Sequence, residues 1–193
     1  MTPDADPIAL FLAAFEKAKL IEAHDATAMT LATADARGRP SARMVLLKGV
    51  DARGFTFFTN QKSRKARELD ENPVAALCVH WPACEQQIRV EGTVLRVSDE
   101  ESDAYFATRP RESQLGAWAS QQSAPLASRE ELETRLRDLE VRHPGRVPRP
   151  PFWGGYRVVP TAIELWHAGA GRLHDRFLYK RTPTGWTMER LNP

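Results

Sequence analysis

The feature that most limits what this chain can become is the rhythm of its first half. Between Ala26 and Val97, short β-prone runs follow one another, each closed by a turn signal. Ala26 to Ala34 alternates loosely and ends in Asp35-Ala-Arg-Gly38; Ser41 to Lys48 follows so closely that the two read as a hairpin. Asp51-Ala-Arg-Gly54 makes a second turn and Phe55 to Thr59 another strand. Val74 to His80 is nearly continuous apolar sequence, expected at the sheet centre, and Glu85 to Val97 is a long strand in which Gly92 marks a bulge or bend. Strands this short, joined this tightly, suggest an antiparallel barrel rather than a βαβ sheet. A Gly-rich dinucleotide fingerprint is absent from the sequence, which argues against a Rossmann site.

Helices flank the strands. Asp6 as N-cap and Pro7 at the first position open a helix over 7–23, with Ile8, Phe11, Leu12, Phe15 and Leu20 near helical period; residues 1–6 read as a flexible lead. Ser98-Asp-Glu-Glu101 and Ser128-Arg-Glu-Glu131 are capping boxes for helices reaching Thr108 and Arg142. In the second, Leu132, Leu136 and Leu139 form a packing stripe. Residues 143–151 are a Pro-rich connector, after which Phe152-Trp-Gly-Gly155 leads to strands Tyr156 to Val159 and Ala162 to Trp166. At 193 residues and 42% hydrophobic, the chain can bury one core, so one domain over 1–193 is expected. A net charge of +2, from 27 basic and 25 acidic residues, gives no case for nucleic acid or membrane. Cys78 and Cys84 are too few for a disulfide framework or a zinc site; they read as reduced thiols of a cytoplasmic protein, and no metal is expected.

Several positions carry charge where a plain scaffold would not. Ser63 reads as the N-cap of a helix ended by Asn72-Pro73, which puts Arg64 and Lys65 in a first turn already positive from the helix dipole. Free backbone N–H groups and two cations there make an anion site, most simply a phosphate; a solvated basic helix is the plain alternative. In Arg43-Met-Val-Leu-Leu-Lys48, Arg43 shares a face with Val45 and Leu47, and Lys48 shares the other with Met44 and Leu46. Each cation therefore snorkels to the sheet edge or meets an anion. Tyr105 and Arg109 lie four apart, with Ser113 beyond Pro110: three phosphate donors, or an exposed pair and a loop serine. Gln87 could serve a heterocycle edge or be a surface amide. The turn-prone His167-Ala-Gly-Ala-Gly171 leads into Arg172-Leu-His-Asp-Arg176, which reads as a strand with Arg172, His174 and Arg176 on one side. Such a row repels itself unless something anionic or electron-rich covers it; a charged, solvated edge strand is the alternative.

Taken in order, these motifs resemble the pyridoxamine 5′-phosphate oxidase family from about Pro7 to Pro193. The likeness is strongest over Tyr105-Phe-Ala-Thr-Arg109-Pro-Arg-Glu-Ser113-Gln-Leu-Gly-Ala-Trp118. It is carried equally by the tail, from Glu164-Leu-Trp166 through Arg172-Leu-His-Asp-Arg176 to Trp186-Thr-Met-Glu-Arg190-Leu-Asn-Pro193. The resemblance implies a mainly β split barrel with flanking helices, and a homodimer with FMN at the subunit interface. It implies FMN contacts from Arg43, Met44, Val45, Leu46, Leu47 and Lys48, from Phe58 and Thr59, and from Arg64 and Lys65 on the FMN phosphate. Gln87, Gln122, Ser123, Trp166 and Arg176 complete that set. Lys48, Tyr105, Arg109 and Ser113 would clamp a substrate phosphate, while Arg172 and His174, the catalytic pair, hold a pyridine ring.

The implied reaction oxidises pyridoxamine or pyridoxine 5′-phosphate to pyridoxal 5′-phosphate, with hydride passing from C4′ to flavin N5 and O₂ returning as H₂O₂. Other FMN oxidases of this barrel, such as a phenazine-pathway type, and a non-catalytic flavin- or pyridoxal-phosphate-binding module are the alternatives. The family commonly has a longer N-terminal arm over the substrate, so closure is expected to differ here. Leu165 stands where an aromatic residue is common, and His167 where glutamine is common.

Overall fold

The computed structural model describes residues 6–193; most of the expected flexible lead lies outside the described residues. Helix α1 (Pro7–Ile21) begins where the sequence puts it: the Asp6 carboxylate accepts the Ile8 N–H and Pro7 fills the first turn. Its buried Ile8, Phe11 and Ala18 face the sheet, with the Phe11 ring edge-on to Phe55 at 4.8 Å and tilted against Trp81.

Among the described residues, nine strands make one antiparallel sheet. They are β1 (Ala28–Ala34), β2 (Pro40–Leu46), β3 (Gly49–Asp51), β4 (Gly54–Asn60), β5 (Val74–Trp81), β6 (Gln86–Arg96), β7 (Trp153–His167), β8 (Asp175–Thr182) and β9 (Gly185–Leu191). The order is β2-β1-β5-β6-β7-β4-β3, with β8 joined to β7 and β9 to β8. Strand β7 is the spine. One edge pairs with β6, while the other is divided between β4 over Trp153–Val158 and β8 over Ala162–His167. The sheet forks there, which gives the split barrel. The main core, including Met29, Leu31, Phe57, Trp81 and Val158, lies on its inner face.

Three local expectations need correction. The two strands expected at 156–166 are one, because the break at Pro160-Thr161 is absorbed as a register shift opposite Gly92. Proline has no N–H for the ladder and needs such a site. A Cβ on Gly92 would come within 2.0 Å of the Val159 carbonyl oxygen, so only glycine permits this approach. Second, Ser113 is not on a loop. After α2 (Arg64–Glu71) and α3 (Asp99–Thr108), Pro110 caps an unexpected helix α4 (Arg111–Ala119), which packs against α5 (Arg129–Arg142). With Phe106, Leu139, Val147 and Trp153, these helices build a second core under residues 143–151.

Third, Arg172 to Arg176 is not one strand. Ala170–Arg172 is a 3₁₀ turn, Gly171 and Arg172 both have left-handed backbone (φ +63° and +64°), and β8 starts only at Asp175. Gly169 allows the tight return, since a Cβ there would meet the Leu173 carbonyl oxygen at 2.0 Å. A left-handed arginine stores strain of order 1 kcal/mol.

Candidate functional site

A cleft of about 930 Å³ opens between the β2 edge and the helices α2, α3 and α4. It gathers side chains from distant parts of the chain. Strand β2 contributes Arg43, Met44, Val45 and Leu46, and the loop after it Lys48. Phe58 and Thr59 come from the end of β4, and Arg64 and Lys65 from the α2 N-terminus. Tyr105, Arg109 and Ser113 enter from α3 and α4, followed by Gln122 and a left-handed Ser123 (φ +71°). Five cations line the cleft and no carboxylate does.

Each cation is held differently. Lys65 is buried, and its Nζ donates to Thr59 Oγ1 at 3.1 Å, Ser63 Oγ at 3.2 Å and Gln122 Oε1 at 2.9 Å, all neutral. Burial, and then the charge of Arg43, lowers its pKa to about 8 against a smaller opposing effect of Glu68. Ser63 therefore does not cap α2 with its side chain; its hydroxyl serves Lys65 instead. Arg64 donates to Glu68 Oε1 at 2.7 Å, and Arg43 reaches Glu68 Oε2 at 3.3 Å, the Leu31 carbonyl oxygen and two hydroxyls. Glu68 also accepts from Thr33 and Ser41. Its burial works against ionisation, but those hydroxyl bonds and Arg64 outweigh it and hold the pKa at about 2. Lys48 is exposed and, among the described residues, has no ion pair. Arg109 lies over the Trp153 ring at 4.8 Å, with a buried Nη1 that meets no acceptor; burial lowers its pKa, partly offset by Tyr105.

The remaining expected site residues do not line this cleft. Leu47 is buried in the main core at 3% exposure, because it continues the inward-facing alternation of β2 past the strand's end, its N–H still donating to the Thr27 carbonyl oxygen. Gln87, Trp166 and Arg176 sit side by side on β6, β7 and β8, in register across the sheet. His174 packs its ring 4.5 Å from that of Trp166 and accepts the Gly169 N–H at Nδ1. That acceptor role assigns the proton of a neutral ring to Nε2. Arg172 is exposed on the adjoining turn. Glu164, only 3% exposed, bridges Arg176 at 2.8 Å and Arg89 at 2.7 Å. The structure thus holds two groups of candidate residues, one in the cleft and one on the β6–β8 face.

Sequence reading missed Glu68, Glu164 and Trp153. Glu68 had a usable signal, its i,i+4 spacing from Arg64. The other two had none, since their partners come from other strands and helices. Among the described residues no helix is long and apolar enough to cross a membrane, and no group of three or more His, Cys, Asp or Glu could hold a metal ion.

A forked antiparallel sheet carrying a carboxylate-free cationic cleft defines a split-barrel protein of the FMN-binding fold class. Residues 16–143 match the family model described as pyridoxamine 5′-phosphate oxidase, and 153–193 match the pyridoxine 5′-phosphate oxidase C-terminal dimerisation region. The chain belongs to the pyridoxamine 5′-phosphate oxidase family, a family of oxidoreductases. It is 61% identical over 189 residues to a pyridoxine/pyridoxamine 5′-phosphate oxidase of Anaeromyxobacter dehalogenans, covering 97% of this chain and 96% of the relative. A protein of the same name from Rubrobacter xylanophilus is 60% identical, covering 98% and 88%. Among solved structures, PhzG from Burkholderia lata, in complex with tetrahydrophenazine-1-carboxylic acid, superposes with a TM-score of 0.94 at 34% identity, covering 99% and 94%. A pyridoxamine 5′-phosphate oxidase-related, FMN-binding protein of Nostoc punctiforme shares the fold, with a TM-score of 0.77 at 19% identity, covering 96% of each chain.

Proposed function

We propose that this chain is a cytoplasmic, FMN-dependent oxidase of pyridoxamine and pyridoxine 5′-phosphates, working as one domain over 1–193 in a homodimer. The observation that carries the reading is the cleft with five cations and no carboxylate, large enough for more than one ligand. FMN fits it on the chemistry of its donors. The buried ammonium of Lys65 has only neutral partners, and the adjoining guanidinium of Arg64 lies at the positive end of α2. Both suit a phosphate dianion. Arg43, Met44, Val45, Leu46, Phe58, Thr59, Gln122 and Ser123 are near enough to contact the rest of the cofactor.

Lys48, Tyr105, Arg109 and Ser113 hold the substrate phosphate in this reading, and the orphaned Arg109 Nη1 supports it, as a buried donor without an acceptor awaits one. The β6–β8 group does not line this cleft. The match of 153–193 to a dimerisation region supports a composite site, in which Gln87, Trp166 and Arg176 of the partner subunit meet the flavin. Arg172 and His174 of the partner subunit then hold the pyridine ring, with the His174 Nε2–H pointing away from Gly169 and free to donate. FMN held by Arg43, Arg64, Lys65 and the other cleft residues would supply two-electron redox chemistry, taking up the hydride of substrate C4′ with O₂ as the final acceptor and H₂O₂ as its product. The protein binds, aligns and screens, and alignment within about an ångström governs the rate.

The test is the absorption spectrum of the purified protein before and after anaerobic pyridoxamine 5′-phosphate. Bleaching of an oxidised-flavin band, restored by air with release of peroxide, is the expected result. A yellow protein that does not bleach would overturn the oxidase reading in favour of a binding module. The PhzG likeness favours a second reading, oxidation of a reduced tricyclic acid on the same barrel. Lys48, Tyr105, Arg109 and Ser113 together in the cleft argue for a phosphate ester instead.

A further inference from the structure

Arg109 is the cleft cation held by carbon rather than oxygen. Arg43 and Arg64 are tied to Glu68, and Lys65 to three oxygens. The Arg109 guanidinium instead rests 4.8 Å over the Trp153 ring and 5.5 Å from that of Phe106. Among the described residues it has no carboxylate within ion-pair distance, and its Nη1 is buried without an acceptor.

Trp153 is itself fixed on all sides. It is 6% exposed and stacks on Phe58 at 5.3 Å and 8°, with Tyr105 stacked on the same Phe58 at 4.2 Å. Phe106 abuts Trp153 edge-on at 5.0 Å. The parallel rings are possible because Phe58 lies opposite Gly155 across the β4–β7 pair, where a Cβ would come within 2.7 Å of the ring. The shelf is thus built from three elements before Arg109 is laid on it.

We propose that Trp153 is a positioning residue for the substrate phosphate. Its π face holds Arg109 in place by cation–π attraction and leaves the guanidinium's N–H donors, and its full charge, unspent for the ligand. A carboxylate in the same place would hold the arginine as well, but would neutralise it and repel the phosphate. This rests on the assignment of Arg109 to substrate phosphate made above.

The experiment replaces Trp153 alone with mono-, di- and trifluorotryptophan by site-specific incorporation, since fluorination drains the π face while almost preserving shape. Each holoenzyme is measured for KM with pyridoxine 5′-phosphate, for pyridoxal 5′-phosphate affinity by calorimetry, for bound FMN and for thermal midpoint. The expected result is a stepwise rise in KM and Kd, reaching about tenfold for the most fluorinated ring, with FMN content and midpoint unchanged. Trp153→Phe should fall between wild type and Trp153→Leu. A flat fluorination series overturns the proposal, as does a KM rise matched by flavin loss or a lower midpoint, which would make Trp153 structural only. If Arg109→Ala also leaves KM unchanged, the underlying phosphate assignment fails; if Arg109→Ala raises KM while the series is flat, only the role of Trp153 fails.

Discussion

Replacing Lys65 with methionine should weaken FMN binding and stabilise the flavin-free protein at once. The three Nζ donors are already given to Thr59, Ser63 and Gln122, so an arriving phosphate displaces one neutral acceptor. The ammonium's bonds to neutral oxygens are already charge-assisted, at the low end of roughly 1.5–3 kcal/mol, and a phosphate oxygen, charged on the acceptor side too, lies at or above the high end. The exchange therefore gains on the order of 1–2 kcal/mol, or roughly five- to thirtyfold in Kd. Lys65→Met loses that gain. It also removes a buried charge with neutral partners, so the thermal midpoint of the flavin-free protein should rise. The opposed signs separate this from a misfolded variant.

A pH arm sharpens the test. With the empty-site pKa at about 8, Lys65 loses its proton as pH rises past 8, while a bound phosphate favours the protonated form. Wild-type FMN affinity should fall from pH 8 to 10, approaching about tenfold per unit, and Lys65→Met should lack that slope. Below pH 8 the lysine is charged with or without ligand and adds no slope. Released-flavin fluorescence on dilution of holoenzyme between pH 7 and 10 reads both quantities. Equal slopes in the two proteins, or an unweakened variant, would refute the reasoning.

Other perturbations give distinct readouts. Arg109→Ala should raise KM for phosphorylated substrate by roughly ten- to a hundredfold while flavin content, read from the visible spectrum, stays constant. Glu68 ionises more readily folded, at about 2, than at its usual 4.5, so its contribution is present above pH 4.5 and lost as pH falls toward 2. Urea unfolding of Glu68→Gln should accordingly be flatter than wild type across that window. Gly155→Ala would set a Cβ within 2.3 Å of Val97 and 2.7 Å of Phe58, whose ring is held between neighbours. It should cost roughly 1–3 kcal/mol in a denaturation midpoint and loosen flavin binding at the same time.

The local pieces of this protein were legible in its sequence because interactions a few residues long decide them. Asp6, Ser98 and Ser128 each accept the expected backbone N–H, the two Asp-Ala-Arg-Gly runs turn, and Gly92 marks the bulge. The family's motif order likewise fixed which element carries each cation. Tertiary structure alone decided how those cations are held and which of them meet. It separated Gln87, Trp166, His174 and Arg176 from the cleft, turned Arg172 to His174 out of a strand, and merged two strands into β7. It also set Arg109 on Trp153, 44 positions further on, and tied Arg43 to Glu68 across 25. Such contacts depend on where separate strands and helices come to rest, and neither hydrophobic period nor capping chemistry reaches that far along a chain.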